Sequence, residues 1–477
     1  MFENVLGQAA VRQISGDITG GVLAPSMLFS GSACSGKGTA ALELARVLSC
    51  EKKAPQAAWN CSCSACERHR LLSHPDLLAF GPRQFSAEIS ASEAAFLREY
   101  EAFIESSSLQ SAATSARMLF IRSVRKLLLR FSPVLMEDDP KIGKLSNDIL
   151  AINEELEDLD AEPSGVKALS IEALKKNCDS IVKKCYKLEA EGIAESIPIA
   201  QIRRAAAWSH LAPHGERKFL LLENADRMQE GGRNALLKLL EEPPLTLTIV
   251  MTTRHEDALL PTILSRLRPY RFFERDGETE TAVIQRVFRD KNVSLDSNLK
   301  TFTEKSGGKG SGIALYLDSF LPVSRETVSG LAAFFAASAA MGTILSLKKK
   351  RFPQSEILVG LGKYAAPLAE SAGMGRPTAE TKAVTALILE KAEHFETSGL
   401  FRLFLSSILS IISEAILRNG DGDEAGKSAI ADIWRKHIEA TQNAVSIYNQ
   451  NSALALERLF AELTVDMFSF FSRGISL

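Results

Sequence analysis

The stretch "SMLFSGSACSGKGTAALELARVLSC", Ser26 to Cys50, decides what kind of fold this chain has. A short apolar run, Met27 to Phe29, leads into a glycine-rich turn, and Ala41, Leu44, Ala45 and Leu48 follow at helical spacing. Strand, glycine turn and helix in that order suit a phosphate-binding loop. Consecutive backbone N–H groups converge on phosphate oxygens, the helix N-terminus adds its dipole, and a lysine reaches the outer phosphates. Gly31, Ser35, Gly36 and Lys37 meet those needs. The next position normally holds a Ser or Thr whose hydroxyl binds Mg²⁺, but here it is Gly38, with Thr39 one residue later. One residue on a helix is a turn of about 100°, so Thr39 cannot simply replace its neighbour. The loop is therefore expected to hold phosphate better than it places a metal; the alternative is a plain strand-to-helix turn with an incidental lysine.

Working outward, "DLLAF" after His74-Pro75, "KFLLLENADRM" from Lys218 and "TLTIVMTT" from Thr246 are further short apolar runs, separated by helical patterns. This β-α-β order predicts an α/β fold with a parallel sheet covered by helices. In a P-loop ATPase the strand beside the loop ends in an Asp that orients Mg²⁺, followed by an acidic residue that activates water. Here those positions hold Glu223 and Asn224. Asn224 cannot accept a proton, and Asp226 is expected to cap the next element. Gly38 and Asn224 thus depart from the pattern at both motifs that hydrolysis requires.

Between about Gln84 and Glu195 the pattern turns to long helices. Ile149, Ile152, Leu156 and Leu159 form one stripe, Leu174, Cys178, Ile181, Cys185 and Leu188 another, and "EPSG" at 162–165 reads as the turn of a helical hairpin. Within it "ARMLFIRSVRKLLLRF" sets Arg117, Arg122, Arg125, Lys126 and Arg130 around an apolar face, read as a solvated charged face or a contact for DNA, a partner or an acidic membrane. After Phe273 the chain is mostly helical. "KKKR", Lys348 to Arg351, is a lone basic run.

At 477 residues several cores are required. A net charge of -2 offers no whole-chain attraction to DNA or membrane. Without a long unbroken apolar segment or a basic leader at "MFENVLGQ", the expectation is a cytoplasmic chain with no membrane partner. Cys50, Cys61, Cys63 and Cys66 cluster in one short segment, which in a reducing compartment suggests metal more than disulfides. His69 or His74 are alternative ligands, and free thiols the alternative state.

"FENVLGQ", the glycine loop, the cysteine cluster, "HPDLLAF", "NALLKLLEEPP" and "PTILSR" follow one another in an order that resembles bacterial clamp-loader subunits of DNA polymerase III, over roughly residues 1–82 and 196–318. The resemblance implies an AAA+ protein: a nucleotide-binding α/β domain (1–275, including a zinc module at about 50–66 and a helical insertion at about 84–195), a small helical lid (276–322), and a helical collar (323–477). It implies a five-membered ring with gamma/tau and delta subunits, acting with the sliding clamp and primer-template DNA. It also makes Cys50, Cys61, Cys63 and Cys66 the ligands of a structural zinc, although Cys61 is one residue nearer Cys63 than the family spacing. In "SGGKGSGIALYL", residues 306–317, Gly312 takes the place of a lid arginine that senses the γ-phosphate. With Gly38 and Asn224, this looks like the delta-prime form, which does not hydrolyse ATP, so that ATP and Mg²⁺ are doubtful ligands. The pair Ser265-Arg266 is then expected to present Arg266 in trans to a neighbour's ATP, with Leu267 replacing the usual cysteine after it. The alternative is a gamma/tau-like ATPase in which Thr39 and Glu223 handle the metal. "GKGT" also occurs in loops of the adenylate kinase type, but no phosphoacceptor site is identifiable.

Overall fold

The computed structural model describes residues 1–293 apart from 54, 107–108, 138, 140–141, 161–169 and 195, and residues 311–472 apart from 322, 324, 353–354, 393–397, 419–423 and 447–449. The "EPSG" turn and residues 306–310 of the lid segment lie outside the described residues. The chain divides into two units, Met1–Phe320 and Leu321–Leu477.

The first unit is built on a five-stranded parallel sheet in the order β2-β3-β4-β1-β5, with β1 Ser26–Gly31, β2 Leu77–Phe80, β3 Lys218–Leu222, β4 Leu247–Thr253 and β5 Arg268–Phe272. The three inner strands are near-continuous apolar runs because helices cover both faces. Alternation assigns side chains to the faces. Leu28, Leu220, Leu222, Ile249 and Met251 enter one core, while Met27, Phe29, Phe219, Leu221 and Val250 enter the other with helices α1 (Ala9–Thr19) and α2 (Lys37–Ser49). Edge strand β5 is exposed at alternate positions and turns Tyr270 and Phe272 inward.

The helical insertion is part of the first core. Its helices are α4 (Ser86–Glu105), α5 (Gln110–Leu128), α7 (Ile142–Asp160) and α8 (Ile171–Gly192), with the short α3 (Ser64–Arg70) before them and α6 (Pro133–Met136) between. Phe96, Phe120, Ile121 and Leu127 join Ile152, Leu156, Cys178, Ile181 and Cys185 in one buried cluster with the sheet residues and with α9 (Ile199–Ser209) and α10 (Glu230–Glu241). Both expected stripes are therefore core, and α7 packs on α8. Past α11 (Pro261–Leu264), α12 (Gly277–Val287) packs on α13 (Gly312–Asp318).

The second unit is all helical: α14 (Arg325–Lys349), α15 (Glu356–Ser371), α16 (Thr381–Lys391), α17 (Ser398–Arg418), α18 (Glu424–Ser446) and α19 (Ser452–Ser472). Segment Glu326–Lys349 is long and apolar enough to cross a membrane, yet 78% of its apolar window is buried, because α14 is the unit's central helix. Its small side chains Ala332, Ala333, Ala336, Ala337, Ala339 and Ala340 are all buried, and Phe335 meets Phe404, Trp434 and Phe460 edge-on. Leu400, Phe404, Ile408 and Ile411 are buried inside this unit, with the half-buried Leu403 against them. Lys348 to Arg351 are exposed at the C-terminal end of α14, where cations favour the helix dipole.

Candidate nucleotide and metal sites

The glycine loop joins β1 to α2 as the sequence requires. Gly31, at φ +144°, lies so close to β5 that a Cβ there would sit 2.0 Å from the Phe272 carbonyl oxygen. Gly36, at φ +96°, is the residue before the first turn of α2. Lys37 opens that turn, but its ammonium folds back onto the loop. It donates to the Gly31 carbonyl at 2.6 Å, to the Ser32 carbonyl, and to Ser35 Oγ at 3.3 Å. Burial, with Arg254 nearby, lowers its pKa to about 8. Arg275 lies over the loop, donating from Nε to the Leu6 carbonyl and from Nη1 to the Cys34 carbonyl at 2.7 Å. The space between Ser32–Ser35 on one side and Glu274, Arg275, Glu280 and Ser311 on the other is about 50 Å³, whereas small-molecule pockets run to about 300–1,000 Å³. Glu280 accepts from Ser311 Oγ and from the Gly312 N–H at 2.8 Å. A carboxylate thus caps the start of this helix at Gly312.

Beneath the loop, Gly38 meets Glu223, the acidic residue that follows β3. A Cβ on Gly38 would lie 2.7 Å from Glu223 Oε1 and 3.4 Å from Arg83 Nη1. The carboxylate of Glu223 occupies the space beside position 38, and two guanidiniums hold it: Arg83 Nη1 at 3.3 Å and Arg130 in a closer ion pair. Burial alone would raise the Glu223 pKa, but Arg83 and Arg130 outweigh it and hold the carboxyl below its usual range. Arg83 and Lys126 share Glu88, and Arg83 and Arg130 flank the Phe85 ring at 5.3 and 5.2 Å. Asn224 adopts φ +50°, a left-handed conformation that Asn tolerates well, and its side-chain amide donates to the Pro82 carbonyl. Thr39 is exposed on α2. Asp226 caps no helix: its Oδ1 accepts from Thr253 Oγ1 at 2.7 Å, tying the turn after β3 to β4.

The basic residues of α5 and of the turn after it are engaged within the protein. Arg122 donates to the carbonyls of His69 and Arg70, and Arg125 to that of Leu71, at the C-terminal end of α3. Lys126 and Arg130 point into the Glu88 and Glu223 pairs. Arg122 and Arg125 thus tie α5 to the end of α3, Arg130 reaches Glu223 beside β3, and Lys126 pairs with Glu88 on α4 inside the insertion.

Arg266 follows α11. Its Nη1 donates to the Thr262 carbonyl at 2.6 Å and its Nη2 to Glu241 Oε1 at 2.7 Å, with the side chain 33% exposed. Ser265 Oγ donates to the same Thr262 carbonyl.

The four cysteines converge. The sulfurs of Cys50, Cys61, Cys63 and Cys66 all lie within 4.8 Å of one another, and Cys50 Sγ is 3.8 Å from Cys61 Sγ. A tetrahedron of about 2.3 Å zinc–sulfur bonds has edges of about 3.8 Å, so the donor set fits that metal. The short Cys61–Cys63 spacing does not keep Cys61 away. Cys50 follows the last residue of α2 and Cys63 precedes the first of α3; the Cys63 thiol is drawn down to about 7: burial opposes this, but the N–H groups of Cys66 and Glu51 and the neighbouring thiols outweigh it. Neither histidine belongs to the group: His69 stacks on His74 at 4.1 Å, and His74 Nδ1 accepts the Asp76 N–H.

Arg83, Arg275 and Glu280 carry much of this geometry and were not singled out by the sequence. Arg83 had one available signal, its place three residues after β2, the strand beside the one that Glu223 follows.

A parallel sheet with a glycine loop leading from β1 into α2 defines an α/β protein of the phosphate-loop class. The family described as "DNA polymerase III, delta subunit" matches residues 7–130 and 151–276, just over half of the 477 residues, and the chain belongs to that family. The match runs through most of the insertion and leaves 131–150 outside it. The chain is also similar to the DNA polymerase III subunit gamma/tau of Mycobacterium tuberculosis and of Mycobacterium bovis, each 31% identical over 111 residues, 23% of this chain and 19% of the relative. It is similar to the DNA polymerase III subunit delta' of Pseudomonas aeruginosa, 38% identical over 82 residues, 17% of this chain and 25% of that protein. These alignments span a quarter or less of each relative's length. A DNA polymerase III gamma subunit-related protein of Thermotoga maritima aligns at 22% identity and a TM-score of 0.29, covering 57% of this chain and 81% of that one.

Proposed function

We propose that this protein is a clamp-loader subunit of bacterial DNA polymerase III of the delta-prime type. It works in the cytoplasm in a five-membered ring with gamma/tau and delta subunits, helping to load the sliding clamp onto primer-template DNA. In this reading residues 1–275 are the nucleotide-binding-like domain, 276–322 the lid and 323–477 the collar. Its own loop does not hydrolyse ATP. The observation that carries this is the Glu223 carboxylate, held by Arg83 and Arg130 against Gly38. The space that a hydroxyl and Mg²⁺ would need is taken by an ion-paired side chain. A gamma/tau-like ATPase would require Thr39 and Glu223 to hold the metal, but Thr39 is exposed and the carboxylate is already engaged.

The residue proposed to act on ATP is Arg266, on a neighbour's nucleotide. Its guanidinium rests on the exposed Glu241, a surface pair worth about 1 kcal/mol or less. It can therefore exchange that partner for a phosphoryl oxygen at small cost. A finger in trans contributes about 10³–10⁵ in rate in phosphoryl transfer. Zinc at the four cysteines would fasten the end of α2 to α3 and has a structural role. In the reconstituted ring, Arg266→Ala should lower ATP turnover at least tenfold with assembly intact; unchanged turnover would remove the finger.

A further inference from the structure

Arg46 lies one helical turn before Cys50 on α2 and is 1% exposed. All five of its N–H donors are used. Nε and Nη2 form a fork on Glu43, at 2.9 Å to Oε2 and 2.6 Å to Oε1. Nη2 also donates to the Ala57 carbonyl at 2.8 Å, and Nη1 to the Ala58 carbonyl at 2.9 Å and to Cys66 Sγ at 3.0 Å. Its guanidinium sits 5.6 Å from the Trp59 ring centre, and Arg122 lies at the same distance from that ring.

A buried Arg–Glu pair by itself is a poor source of stability, because apolar residues of similar volume often do as well. The contact to sulfur supplies a further reason for the arginine. Four thiolates around a divalent cation leave two net negative charges, in a place where Cys50 and Cys66 are wholly buried. A charged N–H donor on one thiolate offsets part of that charge, and the same guanidinium fixes the Ala57–Ala58 turn that leads to Cys61.

We infer that Arg46 is a positioning residue for the metal held by Cys50, Cys61, Cys63 and Cys66, orienting Cys66 through an N–H···S hydrogen bond and organising the loop that delivers Cys61. The inference rests on the zinc reading above. Outer partners of metal ligands typically contribute 10–100-fold in affinity. Lysine would restore the charge without the fork, so Arg46→Lys should recover only part of the loss.

The test uses the full-length protein, with zinc affinity measured by chelator competition and the thiolate-to-metal charge-transfer band recorded after cobalt substitution. The control is Leu44→Ala, which truncates a buried residue of α2 that packs in the other core. The expected result is about one zinc bound by the unaltered chain, affinity lowered 10–100-fold in Arg46→Met and less in Arg46→Lys, and a shifted cobalt band in both. The inference is overturned if Arg46→Met binds as tightly as the parent, or if it loses no more affinity than Leu44→Ala and its band stays in place. A parent chain that binds no zinc would instead remove the zinc reading itself, and Arg46 with it.

Discussion

Replacing Gly38 by alanine tests whether Glu223 is locked where the metal ligand would stand. On an ordinary exposed helix this change stabilises by up to about 1 kcal/mol, because glycine is the poorer helix former. Here the new Cβ would lie 2.7 Å from Glu223 Oε1, so the carboxylate must withdraw by about 0.7 Å to reach ordinary contact at 3.4 Å. A free glutamate would do so at little cost. Glu223 is 7% exposed and clasped by Arg83 and Arg130, and overpacking a constrained site costs about 1–3 kcal/mol. The net expectation is a loss of about 1 kcal/mol, a fall of a few degrees or less in the melting transition of the α/β unit. In an Arg130→Met background the carboxylate regains freedom, so the same substitution should become neutral or stabilising. Urea unfolding of the four proteins gives the coupling directly. If Gly38→Ala stabilises both backgrounds equally, Glu223 is not held and the explanation for the missing hydroxyl fails.

The Glu88 carboxyl, between Lys126 and Arg83, is held at about 2 against an ordinary 4.5: burial opposes the shift and the cations outweigh it. A depressed carboxyl contributes stability that is present above the unfolded value and lost as pH falls from about 4.5 to about 2. Glu88→Gln should therefore be less stable than the parent at pH 7, by a margin that narrows across that window, and a constant margin down to pH 2 would contradict the pairing. If the cysteines hold a metal as proposed, removing it with a chelator should alter Trp59 fluorescence, because the indole lies beside Arg46, which donates to Cys66, and Arg122. Cys66→Ser should start from the altered signal and fail to respond. An unchanged spectrum in the metal-loaded parent after chelation would disconnect the cysteine group from its surroundings.

The order of strand, loop and helix at Ser26–Cys50 was legible because a buried parallel strand leaves an uninterrupted apolar run, and "KFLLL" and "LTIVMTT" gave the same signal. Strand β5, "RPYRF", was not legible: it buries only Tyr270 and Phe272, and its proline and two arginines mask the pattern. The stripes of α7 and α8 announced a packed hairpin, since apolar periodicity depends only on local spacing. The destination of α5's cations was hidden because their partners are remote in sequence. Lys126 pairs with a carboxylate 38 positions away and Arg130 with one 93 positions away. The four cysteines were legible from spacing, whereas nothing in the spacing singles out Arg46, whose partners Ala57, Ala58 and Cys66 lie 11 to 20 positions away. Gly38 and Glu223 were noted separately, and only the fold shows that they are two halves of one contact.

The most direct test of the central claim is calorimetric titration of the full-length protein with ATP, with and without Mg²⁺, beside Lys37→Ala. With Glu223 ion-paired beside Gly38 and Lys37 turned back onto the loop, Mg²⁺ should add nothing to any heat of binding, and Lys37→Ala should behave as the parent does. Binding that strengthens with Mg²⁺ and vanishes in Lys37→Ala would contradict the account and make the loop a working nucleotide site.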